Sequence, residues 1–182
     1  LHNPPDFTQM RRSSDGGKTF GPPLPVLDGS TCNQWTGCAS PANTTAFNGG
    51  TLVLSKQTNT LFVLFSAGES PSPSKAHPTD GIGGNLSVIS STNMGESWSA
   101  ARPVRTSQGS RILSSGQLNS GIQLKHSHAG RLIVPREVFF GSKSAKDPLT
   151  PGGFENRAGV VYSDDPASAT WEAGAFLPAE TW

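Results

Sequence analysis

The sequence has little surplus charge of either sign and no long apolar run. Fourteen lysines and arginines are set against thirteen aspartates and glutamates in 182 residues, which gives a formal net charge of +1. The basic residues are scattered, so there is no electrostatic case for a nucleic-acid ligand. No apolar run approaches the ~20 residues that a membrane-spanning helix needs. We therefore expect neither nucleic-acid binding nor a membrane span.

Cysteine is also scarce, with one pair, Cys32 and Cys38, in the segment CNQWTGC. The pair could close a small disulfide loop; the alternatives are two free thiols or half of a metal site, which would need further ligands nearby. Glycosylation sequons begin at Asn43 and Asn85. The cysteine pair and the sequons together favour a secretory compartment, so we expect a secreted or lumenal protein.

A sustained helical pattern is missing as well. The 21 glycines and 15 prolines outnumber the charged residues, and both types break helices and supply turns. Short runs typical of β-strands occur instead, separated by turn signals. They are TLVLS (51–55), LFVLFS (61–66), LSVISS (86–91), GIQLKH (121–126), RLIVP (131–135) and GVVYS (159–163). The sequence predicts an all-β fold of short antiparallel strands in a sandwich, barrel or propeller.

One short motif recurs about every 75 residues. Its copies share a serine, an Asp or Asn two residues later, and an aromatic at the end. The first motif has Ser13, Asp15, Gly17, Thr19 and Phe20; the second has Ser91, Asn93, Gly95, Ser97 and Trp98; the degenerate third has Ser163, Asp165, Thr170 and Trp171. One four-stranded sheet fits into each interval, which favours a propeller.

Hydrogen bonding explains this motif without catalysis. Asp and Asn side chains accept hydrogen bonds from backbone N–H groups in tight turns, and glycine adopts positive φ there. The terminal aromatic is expected to pack between adjacent sheets. Because Asn93 cannot act as an acid, we interpret Asp15, Asn93 and Asp165 as turn-forming residues.

The motif resembles the Asp box, or BNR repeat, of the sialidases (neuraminidases), which other β-propellers also carry. Further segments resemble sialidase segments in the same order. They are RRSSDGGKTF (11–20), TLVLSKQTNTLFVLF (51–65), SGIQLKHSHAGRLIVP (120–135) and VVYSDDPASATWEAG (160–174). The resemblance to the sialidase superfamily covers nearly all 182 residues. It implies a six-bladed propeller of antiparallel four-stranded sheets, with residues 1–182 as one partial domain of about three blades.

The resemblance also implies hydrolysis or transfer of a terminal α-linked sialic acid, without a cofactor. In the family's retaining mechanism three arginines grip the sugar carboxylate, an Asp is the acid/base, and a Glu activates a Tyr nucleophile. By the family order, the three arginines and the nucleophilic tyrosine fall before Leu1 or beyond Trp182. Tyr162 would lie on a structural strand. The expected partner is a sialylated glycan or a related acidic sugar.

Two catalytic positions are expected inside the chain. Asp6 is the only acid in the window before the first motif, which makes it the candidate acid/base. The alternative is that the family aspartate lies just before Leu1. Glu180, nine residues after the third motif, is the candidate for the activating glutamate; the alternative for it is a solvated loop acid. Gln117, Asn119 and Asn48 are candidate substrate-binding residues, by resemblance to segments near the family's pocket.

Two histidines and four arginines are expected at the surface. His126 and His128 form an H-x-H pair that could bind zinc, but a hairpin turn explains them better, and no metal is expected. Surface positions are expected for four arginines: Arg11, Arg12, Arg136 and Arg157.

Three functional hypotheses stay open. The first is the sialidase, the second is a non-catalytic propeller that binds carbohydrate or serves as an extracellular scaffold, and the third is a propeller enzyme acting on other acidic sugars. Three blades cannot close a ring. The isolated chain is therefore expected to aggregate, to pair with another copy, or to depend on further blades from flanking residues or another subunit.

Overall fold

The protein is all-β, with antiparallel sheets. The computed structural model describes residues 8–27, 46–68, 84–114, 120–141, 154–165, 167 and 170–177. In these ranges the chain forms three antiparallel sheets, named here the first, middle and third sheets in chain order. The described part of the chain contains no helix long and apolar enough to cross a membrane.

The first sheet is a pair of short strands, β1 (Thr8–Met10) and β2 (Leu24–Leu27). The first motif lies between them, so a turn-forming sequence joins two antiparallel strands. The register shifts between Thr8 and Gln9, which marks a β-bulge at the start of the pair.

The middle sheet has five strands. They are β3 (Ala46–Ser55), β4 (Thr60–Gly68), β5 (Gly84–Ser91), β6 (Arg102–Pro103) and β7 (Leu113–Ser114). The order is β3-β4-β5-β6, and β7 pairs with the other end of β5. A tight turn joins β3 to β4, with Asn59 at a φ of 51°, in the left-handed region that asparagine tolerates.

The third sheet has four strands in the order β11-β10-β9-β8. They are β8 (Ile122–Gln123), β9 (Leu132–Gly141), β10 (Phe154–Ser163) and β11 (Glu172–Phe176). The β9–β10 pairing runs without a break from Leu132 opposite Ser163 to Gly141 opposite Phe154.

The main core lies between the middle and third sheets. Alternate residues of the strands point to one face, and apolar side chains from both sheets meet there. The cluster contains Val53, Phe62, Leu64, Leu86, Val88, Val104, Ile112, Leu132, Val134, Val161 and Trp171. On its opposite face the middle sheet carries a smaller cluster of Val63, Phe65 and Ile89, against which Val26, Trp98 and Ala101 pack. The middle sheet is thus covered on both faces.

The predicted all-β antiparallel fold is confirmed. Five of the six β-rich runs of the sequence fall on β3, β4, β5, β9 and β10. In the sixth, GIQLKH, the strand is limited to Ile122–Gln123 because the chain then enters a hairpin turn. The Leu124 amide bonds to the Arg131 carbonyl across this hairpin, and His128 has a φ of 53°.

Candidate functional site

Most residues that the sequence assigns to chemistry lie outside the described residues. This holds for Asp6, Gln117, Asn119 and Glu180. It also holds for Cys32, Cys38 and Asn43. These assignments stay predictions.

Two further asparagines have a described backbone. Asn48 is in β3 and pairs with Ser66 of β4. Asn85 is in β5 between Ala67 of β4 and Leu113 of β7. Glycosylation of Asn85 stays a prediction.

Strand register separates the molecule into two ends. The turn between Ser55 and Thr60 and the second motif lie at the same end, because Ser91 pairs with Leu61 just after that turn. The third motif begins where Ser163 pairs with Leu132. The Gln123 side chain accepts a 2.8 Å hydrogen bond from the Lys56 amide, which brings this end of the middle sheet beside the third sheet. The motif turns of these sheets therefore share one end, called here the motif end.

The described backbone at Asn48 and at β7 lies at the opposite end. Asn48 and Ser66 pair far from the motif end, and the buried Ser66 hydroxyl donates to the Ser114 carbonyl at 2.5 Å. Ser114 ends β7, three residues before Gln117. The structure thus gathers the backbone of Asn48 and the strand leading to Gln117 and Asn119 at this end.

In the first motif, hydrogen bonds converge on Asp15. Its Oδ1 accepts from the amides of Lys18 at 3.0 Å and Thr19 at 2.9 Å, and its Oδ2 accepts from the Thr19 hydroxyl at 2.6 Å. The Ser13 hydroxyl donates to Asp15 at 2.7 Å and accepts from the Gly17 amide at 2.7 Å. Hydrogen bonds to the charged form, that of the Thr19 hydroxyl foremost, hold the pKa of Asp15 far below its usual range. A carboxylate held ionised in this way serves as an acceptor and is a poor general acid.

The second motif has the same arrangement with an amide. Asn93 Oδ1 accepts from the Ser97 amide at 3.0 Å and from the Ser91 hydroxyl at 2.8 Å. Ser91 in turn accepts from the Gly95 amide at 2.8 Å, as Ser13 does from Gly17. The glycine has a φ of 86°, which explains its type.

The third motif is built differently. The Ser163 hydroxyl lies 2.7 Å from the Thr170 carbonyl oxygen and 3.0 Å from that of Asp165. Asp165 Oδ1 accepts from the Ala167 amide, two residues ahead, at 2.9 Å. The additional residue and the missing glycine thus go together with a different set of turn hydrogen bonds.

The terminal aromatics of the motifs differ in burial. Trp171 is fully buried between the middle and third sheets, and Trp98 is half-buried against Val63, Phe65 and Ile89. Phe20, in contrast, is 58% exposed. The expected burial of the terminal aromatic is therefore wrong for the first motif.

A surface cavity of about 500 Å³ lies at Phe20. Its walls come from the first motif and the residues that follow: Arg12, Ser13, Ser14, Thr19, Phe20, Gly21, Pro22 and Leu24. Arg12 also forms an exposed ion pair with Glu96 of the second motif at 3.3 Å. Such exposed pairs stabilise little.

Tyr162 lies beneath a cation at the motif end. Arg131 donates from Nε and NH2 to the two carboxylate oxygens of Asp164 at 2.6 and 2.8 Å, and its Cζ lies 4.3 Å from the centroid of the Tyr162 ring. The hydrogen bond from Arg131 lowers the pKa of Asp164. This cluster ties the exposed hairpin that carries His126 and His128 to β10.

Arg136 is buried, which corrects its expected surface position. It is 6% exposed, NH1 donates to the Leu113 carbonyl at 2.9 Å, and Cζ lies 4.6 Å from the centroid of the Phe176 ring. Burial lowers the pKa of its guanidinium. Sequence reasoning missed this residue, although a signal was present, because Arg136 continues the alternation of buried Leu132 and Val134.

No cluster of three or more His, Cys, Asp or Glu side chains that could hold a metal ion occurs among the residues described above. His126 and His128 are exposed.

The fold defines the class of protein first. In a comparison with solved structures, 92% of this chain matches 30% of the chain of the Hadza microbial sialidase Hz136, with a TM-score of 0.60 and 17% sequence identity. The all-β arrangement is therefore the fold of part of a sialidase structure.

Sequence comparison adds a curated relative. The chain is 30% identical over 180 residues to the sialidase of Micromonospora viridifaciens. The aligned region covers 93% of this chain and 24% of that protein. No protein-family model matches the chain. The chain spans about a quarter of the length of this curated relative. Sequence and fold together support the sialidase superfamily as the family of this chain.

Proposed function

We propose that the chain is part of an exo-α-sialidase-type glycoside hydrolase, which cleaves terminal sialic acid from glycoconjugates. The observation that carries this proposal is the 30% identity to a curated sialidase across 180 residues. Because the chain spans 24% of that relative, the activity is proposed for the protein that contains residues 1–182. Its partner would be a sialylated glycan or a related acidic sugar.

The proposed mechanism is retaining. Asp6 protonates the leaving oxygen and later deprotonates water, while Glu180 activates a tyrosine that attacks the anomeric carbon. The tyrosine and three carboxylate-binding arginines would come from outside residues 1–182. A neutral phenol suits an anionic sugar because it avoids the charge repulsion that a carboxylate nucleophile would meet.

Residues 1–182 would form a single partial β-propeller domain whose Asp boxes are the three motifs. The proposed location is the secretory lumen or the exterior of the cell. A disulfide between Cys32 and Cys38 and a glycan on Asn43 would fit that location. Peptide mapping before and after reduction tests the disulfide.

Release of a fluorophore from a sialic acid α-glycoside tests the activity. Glu180→Gln is expected to lower kcat at least ~100-fold, because the tyrosine would lose its activating base. Glu96→Gln is the matched control: this glutamate is exposed at the motif end, and its loss should leave kcat unchanged. Unchanged turnover in Glu180→Gln would remove Glu180 from the site.

The non-catalytic carbohydrate-binding module is the second candidate. The divergent hydrogen bonding of the third motif, around Ser163 and Asp165, favours it, since that motif departs from the other two. Binding of a sialylated glycan without fluorophore release would support this candidate and contradict the hydrolase.

A further inference from the structure

Arg136 is a buried cation that the proposed mechanism does not use. It lies in the middle of β9, on the face that carries buried Leu132 and Val134 toward the middle sheet. NH1 donates to the Leu113 carbonyl of β7, and the buried Nε has no hydrogen-bond partner in the described part of the chain. The side chain therefore crosses from the third sheet to the middle sheet.

The other contact of this guanidinium is aromatic. Arg136 pairs with Gly159 of β10, and Gly159 pairs with Phe176 of β11, so the three residues form one row across the sheet. A Cβ on Gly159 would lie 2.9 Å from Cδ1 of the Phe176 ring. The missing side chain thus leaves the space in which the ring meets the guanidinium, 4.6 Å from the ring centroid.

This burial is costly for a charge. In the described residues Arg136 contacts a carbonyl and an aromatic ring but no carboxylate. An apolar side chain of similar volume often stabilises such a position as well or better. The presence of an arginine at this position is therefore to be explained by the groups that its side chain contacts.

What Arg136 holds are the ends of two strands. Leu113 is the first of the two residues of β7, and the candidate residue Gln117 follows it by four positions. Phe176 is the last residue of β11, and Glu180 follows it by four positions. One guanidinium therefore lies against both strands that lead to candidate site residues.

We propose that Arg136 is a positioning residue of the candidate site, and that it fixes the ends of β7 and β11 against β9. The proposal rests on the proposed function, because it takes the segments after these strands as parts of the substrate site. The planar fork of arginine suits the role, since it donates in its plane and stacks on an aromatic face at the same time. Lysine has a single ammonium group in place of the planar fork, so it cannot make both contacts in this geometry.

Hydrogen exchange tests whether Arg136 fixes the ends of β7 and β11 against β9, without any assay of activity. In Arg136→Lys and Arg136→Met, the amides of 111–114 and 172–177 are expected to exchange about tenfold faster or more, while those of β3 and β4 keep their protection. The matched control is Arg131→Lys, which removes a similar fork and ring stack at the motif end. It should leave both segments unchanged. Equal acceleration in all strands, or none in the two segments, would overturn the proposal.

Gly159→Ala reaches the same contact without altering the arginine. The added Cβ must displace the Phe176 ring from the guanidinium, so exchange in 172–177 should rise while 111–114 stays protected. Gly21→Ala is the matched control, because its Cβ would meet only the Arg12 carbonyl oxygen at an ordinary 3.6 Å. Full protection of 172–177 in Gly159→Ala would contradict the stacking role.

Kinetic measurements test whether the contacts of Arg136 affect the candidate site. In the protein containing residues 1–182, Arg136→Lys should lower kcat about tenfold or more on the sialic acid glycoside, with Arg131→Lys at the wild-type value. Unchanged kcat together with faster local exchange would overturn positioning. If the wild-type protein neither hydrolyses nor binds the glycoside, the proposed function fails, and hydrogen exchange still decides whether Arg136 holds the two strands.

Discussion

Replacing Trp171 by alanine would remove the largest fully buried side chain of the core between the middle and third sheets. A tryptophan buries about 150–250 Å². At about 25 cal/mol per Å², that area corresponds to roughly 4–6 kcal/mol. Measured Trp→Ala and Phe→Ala substitutions in cores cost about 3–5 kcal/mol. We therefore expect Trp171→Ala to lower the free energy of unfolding by about 4 kcal/mol.

Phe20→Ala is the internal control, because Phe20 holds the same motif position and is 58% exposed. With less than half of its surface buried, the same calculation gives a loss of at most about 2 kcal/mol. If Trp171→Ala does not fold, Trp171→Phe keeps most of the ring and should lie between these values. Folding here means a cooperative unfolding transition.

Urea unfolding followed by far-ultraviolet circular dichroism measures both losses, since this signal comes mainly from the backbone and each variant is compared with its own unfolded baseline. The midpoint of Trp171→Ala should fall well below that of Phe20→Ala, at an unchanged slope. Equal midpoints for the two variants would refute the idea that Trp171 joins the sheets.

Three further changes test the turns and the packing. Trp98→Phe removes a buried indole N–H that has no partner in the described residues. The free energy of unfolding in urea should therefore stay within about 1 kcal/mol of the wild-type value. A loss above about 2 kcal/mol would contradict this. The pKa of Asp15 is depressed, first by the Thr19 hydroxyl, so its contribution is present above pH ~4 and is lost as the pH falls. Asp15→Asn should therefore reduce the fall in thermal midpoint between pH 5 and pH 2, and a wild-type acid profile would argue against it. Gly121→Ala would place a Cβ 2.7 Å from the side chain of Val53 in the core and should lower the free energy of unfolding in urea by about 1–3 kcal/mol. Gly21→Ala, whose Cβ meets no such contact, should change it by no more than about 0.5 kcal/mol. Equal losses in the two variants would rule out the clash at Gly121.

Strand positions could be predicted from the sequence because strands of this size carry local signals. Runs such as LFVLFS combine β-branched and aromatic residues with bounding turns, and they fall on β4. GIQLKH has the same composition, but its second half is taken by a hairpin turn whose hydrogen bond joins Leu124 and Arg131. The composition of the run does not show which of its residues form the strand and which form the turn.

Burial at individual positions was harder to predict because it depends on partners distant in the chain. Arginine is mostly exposed in proteins, and the space for Arg136 depends on Leu113, Gly159 and Phe176, from three other strands. Phe20 was expected to be buried and is 58% exposed. The catalytic assignments of Asp6 and Glu180 remain predictions.

The position of the motif aromatics has a consequence for the order of assembly. Trp98 follows β5 and packs on Val63, Phe65 and Ile89 of its own sheet. Trp171 follows β10, is buried in the core shared with the middle sheet, and donates its amide to the Arg105 carbonyl just after β6. Trp171 therefore lies against the sheet that precedes its own in the chain. During synthesis, the middle sheet leaves the ribosome before the third motif that docks on it, so docking of the third sheet can follow translation.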